Sequence, residues 1–187
     1  CSSMLFDNSF SLVPLETSFH MRGIWLGLLL SLMPLAQCCS ARIWGTISDN
    51  KGRKKPLQTS LIIALLGYVI AFLGVFFSNI FFLLTSRVVI GFASGNISIV
   101  QASIADLSSQ EQKVKNFSLY AMALGSGFAL SPFIGGSLSS FGYSYPFLFA
   151  GLIIAVNLLF VFFFFKETHL STFKRKLSLV MGISQLK

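Results

Sequence analysis

The sequence predicts an all-α fold, a polytopic membrane protein built as a bundle of six transmembrane helices. Three observations carry that prediction. Apolar residues make up 54% of the 187-residue chain and charged residues only 11%, against about a quarter charged in ordinary soluble domains. The charge-free stretches have the length that crosses a bilayer, about 20 residues for about 30 Å of hydrocarbon. The cations cluster between those stretches, on alternate connections.

The net charge of +8 does not indicate a nucleic-acid surface, because its placement follows topology. Of 14 Lys and Arg residues, all but Arg22 and Arg87 fall at or near connections assigned to one face: Arg42, Lys51, Arg53 to Lys55, Lys113, Lys115, Lys166, Lys174 to Lys176 and Lys187. Basic short loops resist translocation, so that face is expected to be cytoplasmic, with both ends of the chain on it. Cys1, Cys38 and Cys39 form no disulfide framework, and no His or Cys cluster has metal-ligand spacing. With no nucleophile–base pair and no phosphate-cradling loop, neither an enzyme nor a cofactor is expected.

Residues 1–17 read as the later part of a first membrane helix whose beginning is missing; it carries Asp7, Asn8 and Pro14. Residues 18–22 are the first external connection. Gly23 to Ala41 is the clearest span, and a cationic turn follows it. Pro56 to Ser86 is too long for one helix and is divided at Ser78-Asn79, giving helices near 56–77 and 80–105. After a charged connection at 106–115, Asn116 to Phe165 is divided by the Gly-, Tyr- and Pro-containing cluster at 139–146. The bundle thus occupies 1–168. Residues 169–187 form a basic segment, with Leu170, Phe173, Leu177, Val180 and Met181 at helical spacing.

Three motifs carry a family resemblance. The turn Gly45-Thr-Ile-Ser-Asp49-Asn-Lys51-Gly52-Arg53-Lys54-Lys55 resembles the signature between the second and third helices of the major facilitator superfamily of transporters. Gly52 can take positive φ, and Gly45 permits close helix approach. The resemblance implies a conformational latch of Gly45, Asp49, Gly52, Arg53 and Lys54, with Asp106 as a further partner of Arg53. Asn50 replaces the usual Arg. The bland alternative is a solvated loop that only sets orientation.

In the fourth helix, Arg87-Val-Val-Ile-Gly91 resembles the family's Arg-x3-Gly motif, tied to proton transfer in proton-coupled members. Arg87, Gly91, Ser94, Ser98 and Gln101 recur at helical steps and form one polar stripe. That stripe either lines the water-filled cavity or packs on a neighbouring helix while Arg87 snorkels outward. In the fifth helix, Gly125-x-Gly127-x3-Ser131-Pro132-x2-Gly135-Gly136 resembles the antiporter motif, with Ser131 where Gly is usual. Pro132 is expected to kink that helix and the glycines to bring a neighbour close. Asp7, ahead of Pro14, resembles an acid of tetracycline exporters. Desolvation would raise its pKa and fit it to carry a proton; the alternative is an exposed Asp.

The resemblance covers the whole chain. It implies the N-terminal half of a secondary transporter, most like drug/proton antiporters of the tetracycline-resistance type, in a bacterial inner membrane. Its partners would be a small-molecule substrate, protons, the lipid bilayer and a second six-helix half. Proton-coupled uptake of a sugar or metabolite, or an inactive half-transporter, remain the alternatives. The topology is directly testable: with Cys1, Cys38 and Cys39 replaced by Ser, an impermeant maleimide should reach Lys54→Cys only from the cytosolic side. Labelling from outside intact cells would contradict it.

Overall fold

The computed structural model describes residues 19–168, among which every regular element is helical. The first expected helix, with Asp7, and the basic segment after residue 168 lie outside the described residues. In chain order the helices are α1 (Phe19–Lys51), α2 (Lys54–Phe76), α3 (Ile80–Ser94), α4 (Ile97–Leu107), α5 (Lys113–Ser139) and α6 (Tyr145–Phe164). α3 and α4 together make one crossing, so five candidate spans are present among the described residues. The chain is a multi-pass membrane protein. Its many exposed Phe and Leu side chains, such as Phe160, Phe162 and Phe163 on α6, are then ordinary, since lipid is their solvent.

Two expectations about boundaries are corrected. α1 does not stop at Ala41 but runs to Lys51, and it begins at Phe19, so residues 19–22 are helical and not a connection. At about 1.5 Å per residue its 33 residues exceed the hydrocarbon thickness. Gly45 and Asp49 therefore sit on the last turns of a helix, and only Gly52 and Arg53 form the turn. Nothing in residues 42–51 breaks a helix, and Lys51 in the last turn suits the negative end of the helix dipole. The second correction concerns the fourth span, which is not continuous: α3 ends at Ser94 and α4 starts at Ile97.

Elsewhere the punctuation falls where turn chemistry places it. Ser78 takes φ 52°, and the Asn79 side chain caps α3 by accepting from the Phe81 N–H at 2.9 Å. Gly142, with φ 144°, turns the chain between α5 and α6.

α3 packs against both α1 and α2, and α2 also packs on α6. Two buried clusters hold this core. Leu29, Ala71, Val75, Leu83 and Phe147 meet in one, and Trp44, Leu57, Leu61, Ile99 and Val161 in the other. The second lies toward the turn at Arg53. α3 approaches its neighbours at backbone distance. A methyl group at Gly91 would overlap the Met33 carbonyl, and one at Gly95 would come within 2.8 Å of the Ala41 nitrogen.

α5 is different. None of its residues is buried, and Gly125, Gly127, Gly135 and Gly136 have no heavy atom near enough to touch an added Cβ, among the described residues. The expected close approach of a neighbour at these glycines is therefore not seen within 19–168; it is seen at Gly91 and Gly95 instead. α5 continues through Pro132 as one helix.

These contacts predict a contrast. Gly91→Ala must push backbone apart and should cost about 1–3 kcal/mol, whereas Gly27→Ala, which meets open space, should leave the unfolding temperature unchanged or raised. Thermal unfolding in detergent checks both.

Candidate functional site

The densest polar site lies at the end of the bundle where α1, α4 and α6 finish and α2 begins. Asp49 lies in the last turn of α1 and Asp106 in the last turn of α4. A carboxylate at the negative end of a helix dipole is unfavourable unless a cation answers it. Arg53 answers both. Its Nη1 donates to Asp49 Oδ1 at 2.6 Å and to Ser48 Oγ at 2.7 Å, and its Nε donates to Asp106 Oδ2 at 3.0 Å.

The Arg53 residue is only 5% exposed, and Ser48 is fully buried. Such a cation persists only where hydrogen bonds and counter-charges replace its water. Burial alone would lower its pKa, but the hydrogen bonds and attraction of Asp49 and Asp106 outweigh burial and raise it above the ordinary guanidinium value. Arg53 thus stays charged and ties two helix ends together.

The opposite polarity is served by Glu167, just past α6. Its Oε1 accepts from the Arg53 backbone N–H at 2.6 Å, and its Oε2 accepts from the Lys54 N–H at 3.1 Å. These are free donors at the start of α2, where a carboxylate is favoured by capping and by the dipole. Gly52, with φ +86°, makes the turn possible. The backbone angle is what demands glycine; a Cβ there would also lie 2.6 Å from Glu167 Oε2, so the carboxylate would have to shift. Sequence reading missed Glu167 and Ser48. A usable signal existed in the charge count: only six acids face 14 cations, so an acid at a membrane helix end has strong reason to be engaged.

The other expected site residues are not brought together. A Cβ added at Gly45 would lie 3.8 Å from Ser98 Oγ, an ordinary contact, so α1 and α4 approach there without the tightness of Gly91. The Lys54 side chain, unlike its N–H, has no described role in the cluster. Arg87 lies with its guanidinium 5.5 Å from the Phe147 ring centroid on α6, a cation–π distance.

The polar stripe of the fourth span is divided by the break after Ser94. Gly91 meets α1, Ser94 Oγ donates to Ile90 O in its own helix, and Ser98 Oγ donates to Ala41 O on α1 at 3.0 Å. Gln101 is exposed. On α5, Gly127, Ser131 and Gly135 line an apolar groove of ≈ 370 Å³ shared with α6, and Pro132 and Gly136 lie within the same stretch.

Long apolar helices joined at one end by a buried ion-pair cluster define a membrane-embedded helix bundle. The chain belongs to the Major Facilitator Superfamily, whose family profile matches residues 1–180. It is 32% identical over 143 residues to the class C tetracycline resistance protein of Escherichia coli, covering 76% of this chain and 35% of that protein. It is 34% identical over 132 residues to the quinolone resistance protein NorA of Staphylococcus aureus, covering 70% and 33%. Among solved structures, the human organic anion transporter MFSD10 (TETRAN) superposes with TM-score 0.72 at 28% identity, covering 83% of this chain and 36% of that one. The chain thus spans about a third of the length of the relatives it matches.

The capping geometry yields a prediction. Glu167→Ala should destabilise by about 1 kcal/mol, the usual worth of a helix cap, and Gly52→Ala by more, since strain and overlap add. Melting of the purified protein in detergent measures both, and Thr168→Ala serves as a neutral neighbour.

Proposed function

We propose that this chain forms the N-terminal half of a proton-coupled exporter of small-molecule drugs that works by alternating access. Substrate and proton would be exchanged across the bilayer as two six-helix halves rock about a site near the midplane. The observation that carries the reading is the Arg53 cluster, which pins the ends of α1 and α4 and the start of α2 to one another. Such a cluster is suited to hold one conformational state and release another. A ligand shifts that balance only by binding one state better.

The relatives named for tetracycline and quinolone resistance support drugs as cargo and export as direction. In this reading Asp7 carries the proton and Arg87 responds to it. Lys51, Lys54 and Lys55 keep the turn cytoplasmic in the inner membrane. The grooved, glycine-bearing face of α5 serves the junction with the second half.

The test uses the intact transporter in inside-out vesicles. Imposing a proton gradient should drive uptake of tetracycline or a fluoroquinolone, and dissipating it should stop that uptake. Asp7→Asn should abolish coupling, and Arg53→Ala should slow turnover by roughly tenfold, the effect of about 1.4 kcal/mol on a rate-limiting step. Gradient-driven uptake only in right-side-out vesicles would instead identify an importer.

A further inference from the structure

The break in the fourth span suggests a conformational role for Trp44. In a continuous helix the Phe92 carbonyl would accept from the Asn96 N–H one turn later. Here Asn96 N instead donates to Ala93 O at 3.1 Å, and Phe92 O receives only a long bond from Gly95 N, at 3.4 Å. Backbone groups released inside a membrane need another partner. The indole of Trp44 on α1 supplies it, its Nε1–H donating to Phe92 O at 2.8 Å. Two further bonds hold the same break: the Asn96 side chain donates to Ser60 Oγ on α2 at 2.9 Å, and Ser98 Oγ donates to Ala41 O on α1 at 3.0 Å.

We propose that Trp44 is a positioning residue that clasps the fourth span in a bent form, and that the span straightens when Asn96 N–H replaces the indole at the Phe92 carbonyl. The carbonyl keeps a strong donor in either form, whereas the straight form takes from the buried Trp44 indole its bond to Phe92 O, which favours the bent one. That makes residues 94–97 a two-state element and not merely a weak point. Gly95 lies against the α1 backbone and acts as the fulcrum. The lower arm, α4, carries Asp106, so bending there and the bond to Arg53 are mechanically linked. The use of this element in transport rests on the alternating-access reading; the Trp44 bond to Phe92 O and the shortened hydrogen-bond steps at Gly95 and Asn96 do not.

The experiment uses the intact transporter in nanodiscs, with native cysteines replaced by Ser and spin labels at Val88→Cys and Leu107→Cys, both exposed positions. Pulsed dipolar spectroscopy should resolve a shorter, bent population and a longer, straight one. Trp44→Phe keeps an aromatic ring but removes the donor, and should shift their ratio about fivefold toward the longer distance, the size of one net hydrogen bond. It should also change efflux turnover while KM stays within about twofold.

An unchanged distance distribution overturns the clasp, whatever happens to efflux. A shifted distribution with unaltered turnover overturns the positioning role. A shifted distribution in a protein that moves no drug upholds the clasp and refutes the transport reading instead. Should Trp44→Phe fail to fold, Trp25→Phe together with Phe at every indole outside these 187 residues leaves Trp44 as the sole indole of the sample. Its ultraviolet Raman N–H band must then report a hydrogen-bonded indole, and a free N–H overturns the proposal.

Discussion

The structure depends on a single buried guanidinium. Arg53 sits in a two-residue turn, yet it bonds the last turns of two other helices, through Asp49 on α1 and Asp106 on α4. Each of those carboxylates lies where its own helix dipole disfavours it. Arg53 is itself too buried to be solvated by water. Every member of the cluster is therefore costly alone and stable only in company, which makes the arrangement cooperative. Glu167 adds a complementary pairing, a carboxylate on the positive end of α2, so three helix ends and a helix start are registered at one point.

Above that cluster the two buried side-chain clusters are joined by close backbone approach between helices. α3 lies against α1 at Gly91 and Gly95, where any side chain would collide with backbone. In lipid, where apolar burial offers helices no advantage over contact with acyl chains, such packing and interhelical hydrogen bonds are the principal sources of cohesion. Trp44, Ser60 and Ser98 contribute three of those bonds at the break in the fourth span. Rigid registration at the Arg53 end thus coexists with a satisfied discontinuity partway along the fourth span.

Much of this was legible in the residues. Charge-free run lengths placed the later crossings, and Ser78-Asn79 marked the turn before α3. Gly52, Arg53 and Asp49 could be named because the turn resembles a family signature, and Asp106 because it closes the fourth span on the same face. What could not be read was local and three-dimensional. α1 extends past Ala41 because charged residues outside the hydrocarbon do not stop a helix, a limit hydropathy does not register. The helix break after Ser94 has no proline to announce it; it depends on a donor from Trp44 and on acceptors on Ser60 and α1 that lie far away in sequence. Glu167 escaped because its partners are backbone N–H groups more than a hundred residues earlier. The glycines of α5 were legible as a pattern, but no close approach to them is seen among the described residues.

The most direct test of the account is a double-mutant cycle on Arg53 and Asp106. Unfolding free energies would be measured in detergent for the parent, Arg53→Gln, Asp106→Asn and the double variant. A cooperative ion-pair cluster predicts a coupling of about 1–3 kcal/mol, with the double variant far less damaged than the sum of the singles. Single effects that add to within about 0.5 kcal/mol would mean that the two residues act independently, and the registration of the helix ends by Arg53 would be wrong.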